Sequence, residues 1–137
     1  MNLSICLLFV TLFASLVSAE EVEPNVVATT LVKSTHSWDG SQLPSYPEGQ
    51  PEITILKIVI PARVKLPLHY HPYINAGVLT KGELTVVTKL GETFIMTAGD
   101  AIVEVVNKWH LGENSGDEPA EIIVFYAGIK EQSITVK

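Results

Sequence analysis

His69 and His71, separated by one residue at the edge of a β-like run, and His110, at the end of another, are three of the four histidines in the chain. A strand advances about 3.3 Å per residue and turns alternate side chains to one face, so His69 and His71 are expected to point into a common cavity. Imidazole nitrogen binds a first-row divalent ion at about 2.1 Å, and two or three such ligands leave positions open for water, oxygen or substrate. The competing expectation is that the rings are polar fillers of a cavity mouth, bonded to water and to one another. His36, beside Trp38 in a turn-rich stretch, is expected to be a surface or packing residue and not a ligand.

Short strands must position these rings. From Glu52 onward, β-branched runs alternate with turn formers. Strands are predicted over Ile53–Ile60, Val64–His71, Gly77–Thr80, Glu83–Lys89, Glu92–Met96, Ala101–Val106, Trp109–Glu113 and Glu121–Tyr126. Between them stand Lys81-Gly82, Leu90-Gly91, Ala98-Gly99-Asp100, Asn107-Lys108 and the loop Asn114 to Pro119. No window shows helical periodicity, so an all-β barrel or sandwich is expected, closed to avoid long open edges. Glu83, Glu92 and Glu104 are expected to be solvent-facing strand charges. Tyr73 and Trp109, near the histidines in sequence, are expected either to line a pocket or to be ordinary core aromatics.

Composition bounds the rest. The chain has 137 residues, 47% of them hydrophobic and 18% charged, which suits one domain with many turns. The net charge of -6 argues against a nucleic-acid partner, because phosphate binding requires clustered Lys and Arg, and a small-molecule partner is expected instead. Residues 1–19 read as a signal peptide: Ile5 to Leu16 is apolar, and Val17-Ser18-Ala19 places small residues for cleavage. The segment lacks the usual basic residue near its start, and an uncleaved anchor is the alternative. Cleavage would remove Cys6, leaving no thiol, and would leave a periplasmic or secreted protein with no stable membrane association. Residues 20–51 read as a polar arm along a barrel edge, with one strand expected over Val26–Val32. The barrel is expected over 52–131, followed by a tail over 132–137.

The sequence Pro67-Leu68-His69-Tyr70-His71, then Asn75, then Gly82-Glu83-Leu84 resembles the first cupin motif. Gly99-Asp100 followed by His110 and Asn114 resembles the second. The resemblance spans about Ile53 to Ala127. It implies a double-stranded β-helix, the cupin jelly-roll barrel. It also implies His69, His71 and His110 as ligands of iron, manganese, nickel, zinc or copper. Where the family has its acidic ligand this chain has Asn75, a neutral side chain that either coordinates through its oxygen or orients a bound water. Three neutral imidazoles leave an ion its full 2+ charge, making it a stronger Lewis acid but a less tightly held one. In the turn before His110, Val105 and Asn107 stand where the family often has proline and glycine; Asn tolerates the left-handed backbone that glycine supplies. Homodimers are common in the family, which implies pairing here through part of Val26–Ser37.

Two function classes follow. The first is a metalloenzyme acting on a small organic molecule as a dioxygenase, isomerase or lyase. The second is a non-catalytic receptacle for a small ligand, with or without metal. No general base, nucleophile or phosphate loop in the sequence favours the enzyme.

Overall fold

The β-branched run before Pro61 forms the first and longest edge strand, β1 (Pro51–Ile60), in a computed structural model that describes residues 26–137. The expected leader, with Cys6, lies outside those residues. Six more strands follow: β2 (Asn75–Lys81), β3 (Glu83–Thr88), β4 (Thr93–Thr97), β5 (Ala101–Val103), β6 (His110–Glu113) and β7 (Ala120–Ile129). They form two sheets, ordered β1-β7-β2-β5 and β4-β3-β6, and every pairing is antiparallel. No helix occurs among the described residues. The all-β jelly-roll expectation is met.

Alternation along the strands builds the interior. On β7, Ile122, Val124 and Tyr126 are buried while Ile123 and Phe125 face outward. Leu84 and Val86 of β3 are likewise buried, and Leu79 and Met96 are wholly so. Each such aliphatic side chain contributes roughly 2 kcal/mol, and together they clamp one sheet on the other. The β2–β3 turn depends on Gly82: its φ is +74°, and a Cβ there would stand 2.8 Å from the Pro119 carbonyl.

Two predicted strands are not regular strands. Val64–His71 is extended but is recorded only as isolated bridges, Lys65 to Glu113, His69 to His110 and Tyr70 to Val136. Pro67 lacks an N–H and breaks the ladder in its middle. Val26–Val32 forms no strand either; Val26 and Val27 are strongly exposed, and no bridge pairs this stretch with an edge among the described residues. Farther along, the arm does reach the barrel. The Trp38 amide donates to the Val103 carbonyl at 2.9 Å, its ring stacks on Phe94, and Asp39 pairs with Lys108.

Asn114 connects this scaffold to the histidine-bearing segment. It is fully buried, its Nδ2 lies within 3.1 Å of the carbonyls of Ile60, Pro61 and Glu118, and its Oδ1 accepts from the Gly116 amide. Its own amide donates to Val64. Replacing it with leucine would remove all four of these side-chain bonds, one buried and three partly buried, at about 1–3 kcal/mol for each backbone group that finds no other partner. Asn114→Leu is therefore expected to lower stability by at least about 2 kcal/mol in urea unfolding; a loss below 0.5 kcal/mol, inside the range of ordinary surface substitutions, would contradict this account.

Candidate metal centre

The site begins as a backbone pairing. His69 and His110 each donate their amide to the other's carbonyl at 2.9 Å, a reciprocal pair that sends both side chains to one face. His71 lies two residues on, and its carbonyl is held by the Asn107 amide at 2.8 Å. Asn107 sits at φ +56°, the left-handed conformation its residue type tolerates, so the turn before His110 survives without glycine.

The three rings converge, with centroids 4.6 to 5.1 Å apart. Each Nδ1 meets a main-chain carbonyl at 2.8 Å: Pro67 for His69, Ile134 for His71, Lys108 for His110. A carbonyl can only accept, so each Nδ1 carries the proton and each neutral ring keeps its lone pair on Nε2. One potential ligand atom from each ring falls within 4.8 Å of the other two. Backbone-oriented imidazoles with free nitrogens converging on one point are a donor set that fits a divalent transition ion. His36, by contrast, is exposed and bonded to Thr35, as expected of a residue outside the site.

Asn75 is buried on β2 and lines the same cavity. Its Nδ2 donates to the Tyr73 carbonyl, which leaves Oδ1 as the atom it can offer a cation. Glu104 corrects the sequence expectation: Glu83 and Glu92 are exposed, but Glu104 is only 8% exposed and borders the histidines. Its Oε1 accepts from Trp38 Nε1 and from the Val105 amide, both at 2.8 Å, and its Oε2 lies 3.8 Å from His110 Nε2. The signal was present in the sequence, since Glu104 stands two residues beyond the inward Ile102 and period-two alternation turns it inward too. Tyr126 and Thr135 also line the cavity and were not singled out; Thr135 belongs to the expected tail, whose Val136 pairs with Tyr70. Tyr73 does not line this cavity, and Trp109 packs edge-on against Tyr70.

The cavity measures about 240 Å³. Its polar groups are the histidines, Asn75, Glu104, Tyr126, Thr135 and Lys137, and most of the remaining wall is hydrocarbon from residues such as Ile58, Leu66, Leu84, Val86, Ile122 and Val124. Such walls shift the titrating groups. Burial pushes the His71 imidazole down to about 4; the neighbouring His110 and His69 act in the same direction, while its bond to the Ile134 carbonyl opposes. Burial likewise lowers His69, against the bond to Pro67. Burial, then the charge of Glu104, pushes the Tyr126 phenol up to about 12, so it remains protonated at ordinary pH.

The sign of the pH dependence follows. Above the ordinary imidazole value of 6.5 both folded and unfolded chains carry a neutral His71, and its full contribution to stability is present. As pH falls from 6.5 towards 4 the unfolded chain takes up a proton that the folded one refuses, and stability is lost. Thermal melts of chelator-treated protein should show the midpoint falling across that window, and His71→Asn should flatten the decline. An equally steep decline in the variant would assign the acid sensitivity to other groups.

Comparison with known proteins agrees with this architecture. A family model described as a cupin domain matches residues 56–126. No curated protein sequence matches the chain. Among solved structures, an oxalate decarboxylase from Lactobacillus farciminis superposes with a TM-score of 0.54 at 23% identity, covering 62% of this chain and 26% of that one. A DMSP lyase from Ruegeria pomeroyi gives 0.54 at 20% identity, with 71% and 46% covered. A Cupin 2 conserved barrel domain protein from Salinispora arenicola gives 0.51 at 18%, with 56% and 63% covered. The chain thus spans from about a quarter to under two thirds of these neighbours, and at such identities the likeness carries the fold alone. Because the family match takes in more than half of the residues and the barrel is shared with these structures, the chain belongs to the cupin family, as its two motifs imply.

Proposed function

We propose that His69, His71 and His110 hold a divalent transition metal, drawn from iron, manganese, nickel, zinc and copper, and present it to a small organic molecule in the barrel. The observation that carries this reading is the convergence of three imidazoles whose outer nitrogens are all committed to backbone carbonyls. When bound, such an ion supplies a Lewis acid with open positions for a substrate oxygen or for dioxygen. The protein's residues do the rest. Asn75 offers a neutral oxygen, Tyr126 stays a protonated phenol able to donate, and the aliphatic wall excludes water from the bound molecule. A substrate with an oxygen-bearing head and a compact hydrocarbon body fits this division of the cavity. The reaction classes that suit it are those of a dioxygenase, an isomerase or a lyase.

The second reading is a non-catalytic receptacle, favoured by the large hydrocarbon share of the wall, which retains a ligand without chemistry. The proposal extends to export, on the leader-like residues 1–19, and to pairing of two copies. Pairing is supported by the exposed apolar residues Val26, Val27 and Leu31 of the arm and Ile55 and Val59 on β1.

Elemental analysis of the purified protein should find one transition ion per chain. Stripping it with a chelator should lower the melting temperature, since a ligand at 100 times its dissociation constant stabilises by about 2.7 kcal/mol. His69→Ala, His71→Ala and His110→Ala should each abolish stoichiometric uptake; a His69→Ala protein with undiminished metal content would remove the site. Oxygen uptake or product formation by loaded protein across enols, diketones and phenolics would then select the enzyme, and binding without turnover the receptacle.

A further inference from the structure

Glu104 is the one buried carboxylate that lines the cavity, and no Lys or Arg forms an ion pair with it among the described residues. The pairing of Ala76 with Val103 continues into a bond from the Glu104 amide to the Asn75 carbonyl, so Glu104 stands across the strands from Asn75, which brings no charge. One carboxylate oxygen is fully used: Oε1 receives Trp38 Nε1 and the Val105 amide. The other, Oε2, has His110 Nε2 at 3.8 Å as its charged-type neighbour, too long for a hydrogen bond, and no Lys or Arg pairs with Glu104 among the described residues. Burying a carboxylate costs several kcal/mol unless a countercharge lies beside it. Two donors held about 2.1 Å from one ion lie roughly 3 to 4.2 Å apart; Oε2 meets that spacing towards His110 Nε2, while the ligand atoms that all fall within 4.8 Å of one another are those of the three histidines, so Glu104 stands beside the ligand set on the His110 side.

We propose that Glu104 is the counter-anion of this centre: standing beside His110, outside the three-histidine ligand set, its carboxylate balances part of the charge that three imidazoles leave uncompensated. Trp38 then acquires a role. The polar arm reaches across the barrel edge to fix the carboxylate, with the Ser37 hydroxyl on the Glu104 carbonyl at 2.9 Å and the Trp38 indole on Oε1. This assignment rests on the metal-binding reading above, and its test separates the two.

The test is titration of the chelator-treated full-length chain with Co2+, followed by calorimetry and by the visible absorption of the bound ion. Glu104→Gln keeps an oxygen for Trp38 and Val105 while removing the charge. It is expected to weaken Co2+ binding tenfold or more and to alter the visible spectrum, with the metal-free melting temperature little changed. Trp38→Phe, which releases Oε1 from the indole, should weaken binding in the same direction but less, and it decides the matter should Glu104→Gln fail to fold. Histidine-dependent Co2+ binding with affinity and spectrum unchanged in the variant that folds would overturn the role of Glu104 and leave the three-histidine site standing. A chain that takes up no Co2+ would overturn both.

Discussion

The reciprocal amide–carbonyl pair between His69 and His110 is the constraint on which the centre depends. It joins a proline-interrupted segment to a regular strand at the one point where both carry an imidazole. The main chain then acts a second time, through the Pro67, Lys108 and Ile134 carbonyls that hold the three Nδ1 atoms. Ring position and tautomer are both set by backbone, whose geometry belongs to the barrel and not to any flexible side chain. A site built this way is organised before an ion arrives, which lowers the ordering cost of binding.

Burial has two effects in the same cavity. It keeps His71 and His69 neutral, the state a ligand requires, by making imidazolium costly. It also raises the cost of any charge left without a partner, which is why Glu104, nearly enclosed and tied by Trp38, demands a physical account. The hydrocarbon walls and the polar mouth are parts of one arrangement: low polarity strengthens every electrostatic contact made there.

Much of the architecture was legible because its signals are local. Strand alternation on β3 and β7, the turns at Gly82 and Gly99, and the left-handed Asn107 depend on neighbouring residues and appear near where the chain pattern places them. The misreadings have local causes as well. Val64–His71 carries strand-like residue types, yet Pro67 denies it a continuous ladder, and Val26–Val32 has strand residues but no edge to pair with among the described residues. Glu104 was misjudged by type, because glutamates are seldom buried; the alternation from Ile102 was the better guide.

The sequence by itself determined the all-β class, the spacing that puts His69 and His71 on one face, and a second motif ending in His110. Each is a property of period and residue type over a few positions. Only the tertiary structure decided that His110 pairs with His69, that Ile134 near the C-terminus holds His71, and that Trp38 of the arm reaches Glu104. These contacts join residues 41 to 66 positions apart. Their partners are chosen by how two sheets close over a shared core, and no local pattern encodes that choice.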